Sequence, residues 1–230
     1  MKKLVTILGL TAVVAMAAAP AFAANALRIS QAWGGGGSAT ATATYNVDYV
    51  EVFNNSGAAI NLSGYTIEYG SATGSWGSSG TNIFTFPVGA SIAPCSYVLV
   101  QLGTASAGGA ALPVTADYFG TLAMGGTNGK VALFSAVNTN LACGAELPGT
   151  LVDKVSWGTA NCSEVAATPA MSINLGAGRN GDGTVDTDNN SADFTMGVLV
   201  PRNSASPANT GCLATPAANR TWGSLKSIYR

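Results

Sequence analysis

Residues 45–53, with the sequence YNVDYVEVF, decide the fold because their side chains alternate with a period of two. Tyr49 and Glu51 fall on one side of an extended chain, and Val50 and Val52 fall on the other. β-Branched and aromatic residues of this kind fill a pleated, half-buried face. The run therefore predicts a β-strand, and NNSG at residues 54–57 predicts the turn that ends it.

The rest of the chain repeats this pattern in short runs that are bounded by Gly, Pro, Asn or Ser. Before the C-terminal segment, no helical pattern continues for more than about ten residues. About nine runs are typical of strands, and they lie at residues 27–32, 45–53, 65–69, 83–86, 96–102, 130–134, 151–157, 171–175 and 193–196. Gly-rich loops separate several of them, at residues 34–37, 70–80, 103–109 and 125–126. The pattern predicts an all-β fold, an antiparallel β-sandwich with long Gly-rich loops.

The composition argues against most catalytic and nucleic-acid-binding classes. Charged residues make up 9% of the chain and the net charge is −1, so no basic stripe is available for nucleic acid. The chain has no histidine, which removes the commonest general base and zinc ligand. Carboxylate pairs such as Asp48 with Glu51, or Asp117 with Glu146, are not selected by any spacing. We therefore predict no catalytic residues and no cofactor.

The first 23 residues have the form of a secretory signal. Lys2 and Lys3 precede an uncharged run at residues 4–19, and Ala21-Phe22-Ala23 has the small-x-small pattern of a cleavage site. The run is too short to span a bilayer. The sequence predicts a signal peptide at residues 1–23 and a mature chain without a transmembrane segment. The mature protein is expected to be secreted or periplasmic, either free or held at the cell surface.

A series of short motifs follows one order along the chain: ISQ at 29–31, GGGG at 34–37, DYVEVFN at 48–54, NLSGY at 61–65, IAP at 92–94, YVLV at 97–100, GKVAL at 129–133, VDKVSWG at 152–158, DTDNNSADF at 186–194 and PRNS at 201–204. This order resembles the lamin tail domain, an immunoglobulin-like sandwich that occurs in many secreted bacterial proteins. The resemblance implies one such domain over residues 24–202. It also implies a fold-and-binding module rather than an enzyme.

The four cysteines allow three pairings. In bacterial relatives a pair at the position of Cys143 and Cys162 resembles a local staple, so the resemblance implies that these two are bonded. Cys95 and Cys212 are then left to each other. A metal site is the rival interpretation, but it needs CxxC-type spacing or histidine, and the chain has neither.

Glu51 is the unusual residue of the first strand, because a carboxylate in an otherwise apolar strand needs a partner when it is buried. We expect a structural hydrogen bond to a loop backbone. A catalytic or metal-binding role is the alternative.

Residues 180–190, NGDGTVDTDNN, hold the densest group of hard oxygen ligands. Asp182, Asp186 and Asp188 recur at even spacing, so an extended chain would point them one way. One interpretation is a weak extracellular calcium site, with a Kd of about 10⁻⁴–10⁻³ M. The other is an Asx-rich turn, since the EF-hand pattern is not met.

Trp76 lies in the loop sequence GSWGSSG and is the best candidate for an exposed aromatic platform that binds a sugar. The alternative for this residue, as for most aromatic residues of a sandwich, is packing in the core or at an edge.

The C-terminal region differs in composition from the rest. Residues 203–219 are rich in Pro, Ala, Ser and Asn and predict a linker. Residues 220–230 place Trp222, Leu225 and Tyr229 at helical spacing, and Thr221 is suited to cap the helix. This predicts a short C-terminal amphipathic helix that lies on the sandwich. Alternatively it is a sorting or docking tag, because the segment resembles endings of unrelated secreted bacterial proteins.

Together these observations predict an exported, non-catalytic module with a structural, adhesive or interaction role. Its expected partner is a protein or an envelope or matrix polymer, and not nucleic acid. The alternative function is a carbohydrate- or polymer-binding module.

Overall fold

The structure is a computed structural model, and it describes residues 26–212. The predicted signal peptide at residues 1–23 and the predicted tail at residues 220–230 lie outside the described residues. The described part is built almost entirely of strands, which confirms the all-β prediction. Its twelve strands and one short α-helix are β1 (Leu27–Trp33), β2 (Asp48–Asn54), β3 (Ile60–Asn61), β4 (Thr66–Gly70), β5 (Ile83–Thr85), β6 (Ser91–Ile92), β7 (Tyr97–Leu102), β8 (Tyr118–Gly120), β9 (Gly129–Phe134), β10 (Leu151–Trp157), β11 (Gly176–Arg179), α1 (Asn190–Asp193) and β12 (Phe194–Gly197).

The strands form two layers. One is a six-stranded sheet in the order β12-β11-β1-β2-β7-β8, and the other is a four-stranded sheet in the order β10-β9-β4-β5. Strands β3 and β6 form a separate two-stranded ladder. The pairing is antiparallel except between β7 and β8, which run parallel. The sandwich is therefore confirmed, but its predicted antiparallel character fails at this one edge, where the long segment between β7 and β8 returns the chain in the same direction.

The core lies between the two layers and follows the alternation of the strands. Val50 and Val52 of β2 point inward and pack in one cluster with Ile67 of β4 and Val131 and Leu133 of β9. All five side chains are fully buried. Burying a side chain of this size contributes about 1.5–3 kcal/mol.

The outer face of the six-stranded sheet is covered as well. Residues 198–212, which we call the terminal strap, lie across it, and the Cys95–Cys212 disulfide fixes the end of the strap to the chain two residues before β7. Tyr45 donates a hydrogen bond to the carbonyl oxygen of Leu199 at 2.7 Å, and the amide N–H of Asn209 donates to the carbonyl oxygen of Cys95 at 2.8 Å. The predicted linker is wrong for residues 203–212, because these contacts hold that segment on the domain.

The outer face of the four-stranded sheet has its own cover, residues 135–150, which we call the cover loop. The Cys143–Cys162 disulfide joins it to the loop that follows β10. The backbone N–H of Asn138 donates to Glu68 of β4 at 2.7 Å, which holds the loop against the sheet. Both disulfides agree with the predicted pairing.

The structure corrects one of the predicted strands. Residues 171–175 form no strand, and β11 starts directly after them at Gly176. Gly176 and Gly178 have no side chain to show a pattern, and at Gly176 the Trp33 ring and the backbone oxygen of Ala32 leave no room for one. A Cβ atom at Gly176 would lie 2.6 Å from Trp33, and one at Gly178 would lie 2.7 Å from Leu199.

Candidate functional site

Glu51 lies on the outer face of β2 with its carboxylate fully buried. The hydroxyl of Ser30 donates to Oε1 at 2.6 Å, and the backbone N–H of Arg202 donates to Oε2 at 2.6 Å. Nη2 of Arg202 lies 2.7 Å from Oε1. Burial raises the pKa of Glu51, and the bonds from Arg202 oppose that shift. The expected loop-backbone partner is confirmed, and a guanidinium that the sequence did not predict balances the charge.

Arg202 belongs to the terminal strap and connects it to three other parts of the fold. Its guanidinium lies over the ring of Tyr97 in β7, 3.8 Å from the ring centroid. Nη1 donates to the hydroxyl oxygen of Tyr97 at 2.9 Å and lies 3.1 Å from Oδ1 of Asp182. One side chain thus ties the strap to β2, to β7 and to the turn at residues 180–183.

A groove of about 590 Å³ lies between the two ends of the terminal strap. Val198, Val200 and Pro207 line it with apolar surface, and both valines are 67% exposed. Arg202 and Asp182 contribute charged groups to the same groove. This volume falls in the range of small-ligand and side-chain pockets.

Trp76 is not an exposed platform, and the prediction that it offers its ring to a ligand is wrong. The side chain is fully buried under the cover loop and packs edge-on against Phe134 of β9, with ring centroids 5.8 Å apart. Its indole N–H donates to Glu146 of the cover loop at 2.7 Å. The Gly/Ser loop around Trp76 folds inward, because removing this large apolar ring from water is favourable.

Lys130 is buried beside Trp76, which is uncommon for a lysine. Its ammonium donates to the carbonyl oxygens of Ser71 and Gly74, at 3.2 and 2.7 Å, and to the side-chain oxygen of Asn161. The ammonium also lies 5.3 Å from the centroid of the Trp76 ring. Burial lowers the pKa of Lys130. The three acceptors make this lysine a structural anchor for the loops around Trp76.

The three aspartates of the predicted calcium segment point to different partners. Residues 180–183 form a 3-10 turn rather than an extended chain, and Asp182 has a left-handed φ of 56°. Asp182 pairs with Arg202, whereas Asp186 pairs with Arg28 and Arg179 at 3.1 Å each. Asp188 is exposed. The expected common direction is therefore wrong, and calcium binding by these residues stays a prediction without geometric support.

Arg179 of β11 is the centre of a second buried charge network. Its Nη2 lies 2.7 Å from Oδ2 of Asp153 in β10, and its Nη1 lies 3.1 Å from Asp186 and 3.7 Å from Asp193. The guanidinium also lies over the ring of Phe194, 4.4 Å from the centroid. The network fastens β11 of the six-stranded sheet to β10, an edge strand of the four-stranded sheet.

Glu164 stands at the border of this network. Its carboxylate oxygen lies within 4.8 Å of those of Asp153 and Asp186, and Asn190 donates to it at 2.7 Å. Burial, together with the charges of the two aspartates, raises the pKa of Glu164 to about 8.

Comparisons with known proteins agree with this architecture. The family model described as Lamin Tail Domain matches residues 20–159, which is more than half of the chain. The chain belongs to the lamin tail domain family. No curated protein sequence gives a significant match to it.

A solved structure supports the fold of this lamin tail domain over a longer stretch. It is the crystal structure of a DUF4876 family protein from Bacteroides thetaiotaomicron, with a TM-score of 0.53 and 14% sequence identity. The similarity covers 80% of this chain and 74% of that chain. The family match ends at residue 159, so β11, β12 and the terminal strap lie beyond it.

Two groups of side chains in residues 26–212 have the spacing of metal ligands. One is Asp153, Glu164 and Asp186; the other is Cys143, Glu146 and Cys162. In the first group Arg179 already pairs with both aspartates, and in the second the two sulfurs are bonded to each other. Neither group leaves the open, acceptor-rich cage that a divalent cation needs.

Asp48 of this lamin tail domain holds two loops through their backbones. Asp48 accepts hydrogen bonds from the backbone N–H groups of Gly36 and Met124, at 2.8 and 2.7 Å. Burial raises the pKa of Asp48 to about 6, and these bonds oppose the shift. Asp48 and Glu51 belong to the same strand but point to opposite faces, so they do not form a carboxylate pair. The helices within residues 26–212 lack the length and apolar character needed to cross a membrane.

Proposed function

We propose that this chain is an exported, non-catalytic lamin tail module that acts by contact with a protein or with an envelope or matrix polymer. The observation that carries the proposal is that the buried acidic side chains of residues 26–212 are engaged in structural hydrogen bonds. All five, Asp48, Glu51, Glu68, Asp153 and Asp193, accept hydrogen bonds that hold strands and covering loops in place. With no histidine in the chain, these carboxylates would be the natural acid–base groups of an enzyme.

The described chain begins and ends at one end of the sandwich, and a groove lies at the opposite end. Leu27 pairs with Asn54 at the start of the sandwich, and the sulfur of Cys212 lies 3.7 Å from the carbonyl oxygen of Asn54. The first and last described residues thus lie at the same end of the sandwich. At the other end, the loops at residues 34–38, 124–127 and 171–173 surround a second groove of about 300 Å³. This end is the surface that we propose for contact with a partner.

Export and oxidation are supported by the predicted leader and by the two disulfides, because disulfides persist in oxidising compartments. The test is to produce the full chain in a bacterial host and to determine its compartment, its N-terminal residue and its free thiols. We expect a product that starts at Ala24, outside the cytoplasm, with no free thiol. A matched variant, Leu10→Arg, interrupts the apolar run of the leader and should keep the protein inside. A full-length cytoplasmic product with four free thiols contradicts the proposal.

The contact role is tested by sedimenting the purified, oxidised protein with isolated envelope, with matrix polymers and with a glycan panel. Saturable binding to envelope or matrix material supports the proposal. Binding to none of these materials, or turnover of a substrate at an enzymatic rate, contradicts it. The carbohydrate-binding alternative no longer has a candidate sugar-binding residue in Trp76, since this side chain is buried.

A further inference from the structure

We propose that the groove between the two ends of the terminal strap receives the chain's own C-terminal segment, residues 220–230. This inference does not depend on the proposed function. It rests on the exposed apolar side chains of the groove, on the distribution of charge between the sandwich and the tail, and on the place where the tail starts.

The groove presents apolar side chains that the fold itself does not use. Val198 and Val200 are both 67% exposed, and Pro207 and Ala208 face them from the other end of the strap. Leu199 packs against a buried cluster of the fold, whereas the side chains of the two valines on either side of it do not belong to that cluster. Such a groove suits one or two apolar side chains of a docked segment.

The charges of the two parts are complementary. Residues 26–212 carry five basic and eleven acidic side chains, a net charge of −6. Arg28, Lys130 and Arg179 are buried, and Arg202 is paired with Glu51, so few of these cations reach the surface. Residues 213–230 carry three basic side chains, Arg220, Lys226 and Arg230, and no acidic one. A cationic segment is therefore attracted to the sandwich.

Asp182 gives this attraction a place at the groove. Its side chain is 78% exposed and lines the groove. Of its two carboxylate oxygens, Oδ1 lies 3.1 Å from Arg202. A carboxylate accepts several hydrogen bonds, so a lysine or arginine of the tail can share it. The groove thus combines the exposed side chains of Val198 and Val200 with the partly free carboxylate of Asp182, which matches a segment of aromatic, aliphatic and basic residues.

The tail starts next to the groove. Cys212 is held by its disulfide, and Thr210, two residues earlier, lines the groove. Nine residues separate Cys212 from Trp222, a reach of about 30 Å when extended. A connection of this length gives an effective concentration on the order of 1 mM. Because an isolated helix of about ten residues is marginal in water, the apolar stripe of Trp222, Leu225 and Tyr229 needs such a surface.

The test uses the fluorescence of Trp222 in the full chain. Trp33, Trp76 and Trp157 are fully buried, so acrylamide should quench chiefly Trp222. Subtracting the signal of the Trp222→Phe variant isolates it. We expect its quenching constant to be about fivefold lower than that of a synthetic peptide of residues 220–230. The protection should not change with protein concentration, because the contact is within one chain.

Matched variants locate the contact. Val200→Arg places a cation on the groove wall and should restore peptide-like quenching, whereas Val88→Arg changes a more exposed valine (97%) that does not line the groove and should not. Asp182→Asn should weaken the protection, and its left-handed φ suits asparagine. The proposal is overturned if Trp222 is quenched like the free peptide, or if Val200→Arg leaves the protection intact. Protection that appears only at high protein concentration, or only with anionic lipid vesicles, overturns it as well.

Discussion

Glu51 and Arg202 are 151 positions apart in the chain, and their side chains form a buried ion pair on the outer face of the six-stranded sheet, with 2.7 Å between Oε1 and Nη2. The pair joins the terminal strap to the sheet, because Arg202 follows all twelve strands in the sequence and Glu51 lies in β2. A carboxylate that is fully buried here is tolerated only with this partner.

Removing one partner of this pair should destabilise the domain strongly. Arg202→Met leaves the carboxylate of Glu51 buried without a counter-charge, which costs about 3–5 kcal/mol. Chemical denaturation of the purified, oxidised protein measures the loss. The matched control is Asp182→Asn, which removes the exposed partner of the same guanidinium and should cost at most about 1 kcal/mol. Equal losses in the free energy of unfolding of the two variants would show that the buried ion pair stabilises the domain no more than the exposed one.

The two disulfides should differ in their contribution to stability. Cys95–Cys212 closes a loop with a sequence separation of 117, and Cys143–Cys162 closes one of 19. Restricting the unfolded chain then contributes about 5 kcal/mol for the long loop and about 3 kcal/mol for the short one. The free energies of unfolding of the two double Cys→Ser variants measure the difference. A larger loss from the short loop would contradict this explanation.

Much of the fold was predictable because it depends on side-chain alternation. β10 has the predicted bounds, Leu151–Trp157, and β2 and β7 differ from prediction only at their ends. β11 could not be predicted, since a strand of Gly176 to Arg179 contains two glycines and no alternation. Its position depends on the side chains of Trp33 and Leu199, which are distant in the sequence. The short strands β3, β6 and β8 were also missed, because two or three residues are too few to show a period.

The candidate site was predictable only in part. Glu51 was identified because a carboxylate in an apolar strand requires a partner, but the sequence does not say which cation supplies it. The scarcity of charge was the unused signal: only five basic residues occur between residues 26 and 212, so each was a candidate partner. Trp76 was misjudged because the polarity of the surrounding loop does not reveal that the cover loop closes over it.

Stability should fall as the pH rises from about 5 to 8. Burial and two neighbouring aspartates raise the pKa of Glu164 to about 8 in the folded protein, far above its value of about 4.3 in an unfolded chain. Between about pH 4.3 and 8 the folded state therefore keeps a proton on Glu164 that the unfolded chain has lost. The resulting stabilisation of the folded state is complete below about pH 4.3 and is lost as the pH rises through 8. The limiting slope for one proton is about 1.4 kcal/mol per pH unit. The raised pKa of Asp48, about 6, adds to the slope below pH 6.

Denaturation at several pH values measures this slope, and Glu164→Gln isolates its source. The glutamine variant should lose most of the dependence between pH 6 and 8, because it cannot titrate. Asp188→Asn, which changes an exposed aspartate near the same network, should keep the slope of the unmodified protein. A flat profile for the unmodified protein would mean that Glu164 is ionised throughout.

Trp76 should contribute to stability and not to binding. Trp76→Ala removes a fully buried ring from between Phe134 and Lys130 and should cost about 3–5 kcal/mol. Trp76→Phe keeps an aromatic ring and should cost less, chiefly the hydrogen bond to Glu146, about 1 kcal/mol. Thermal and chemical denaturation measure both losses, and a glycan panel compares the stable Trp76→Phe variant with the unmodified protein. Because the indole has no access to solvent, any glycan binding should be identical in the two proteins, and a selective loss in Trp76→Phe would restore the exposed-platform interpretation.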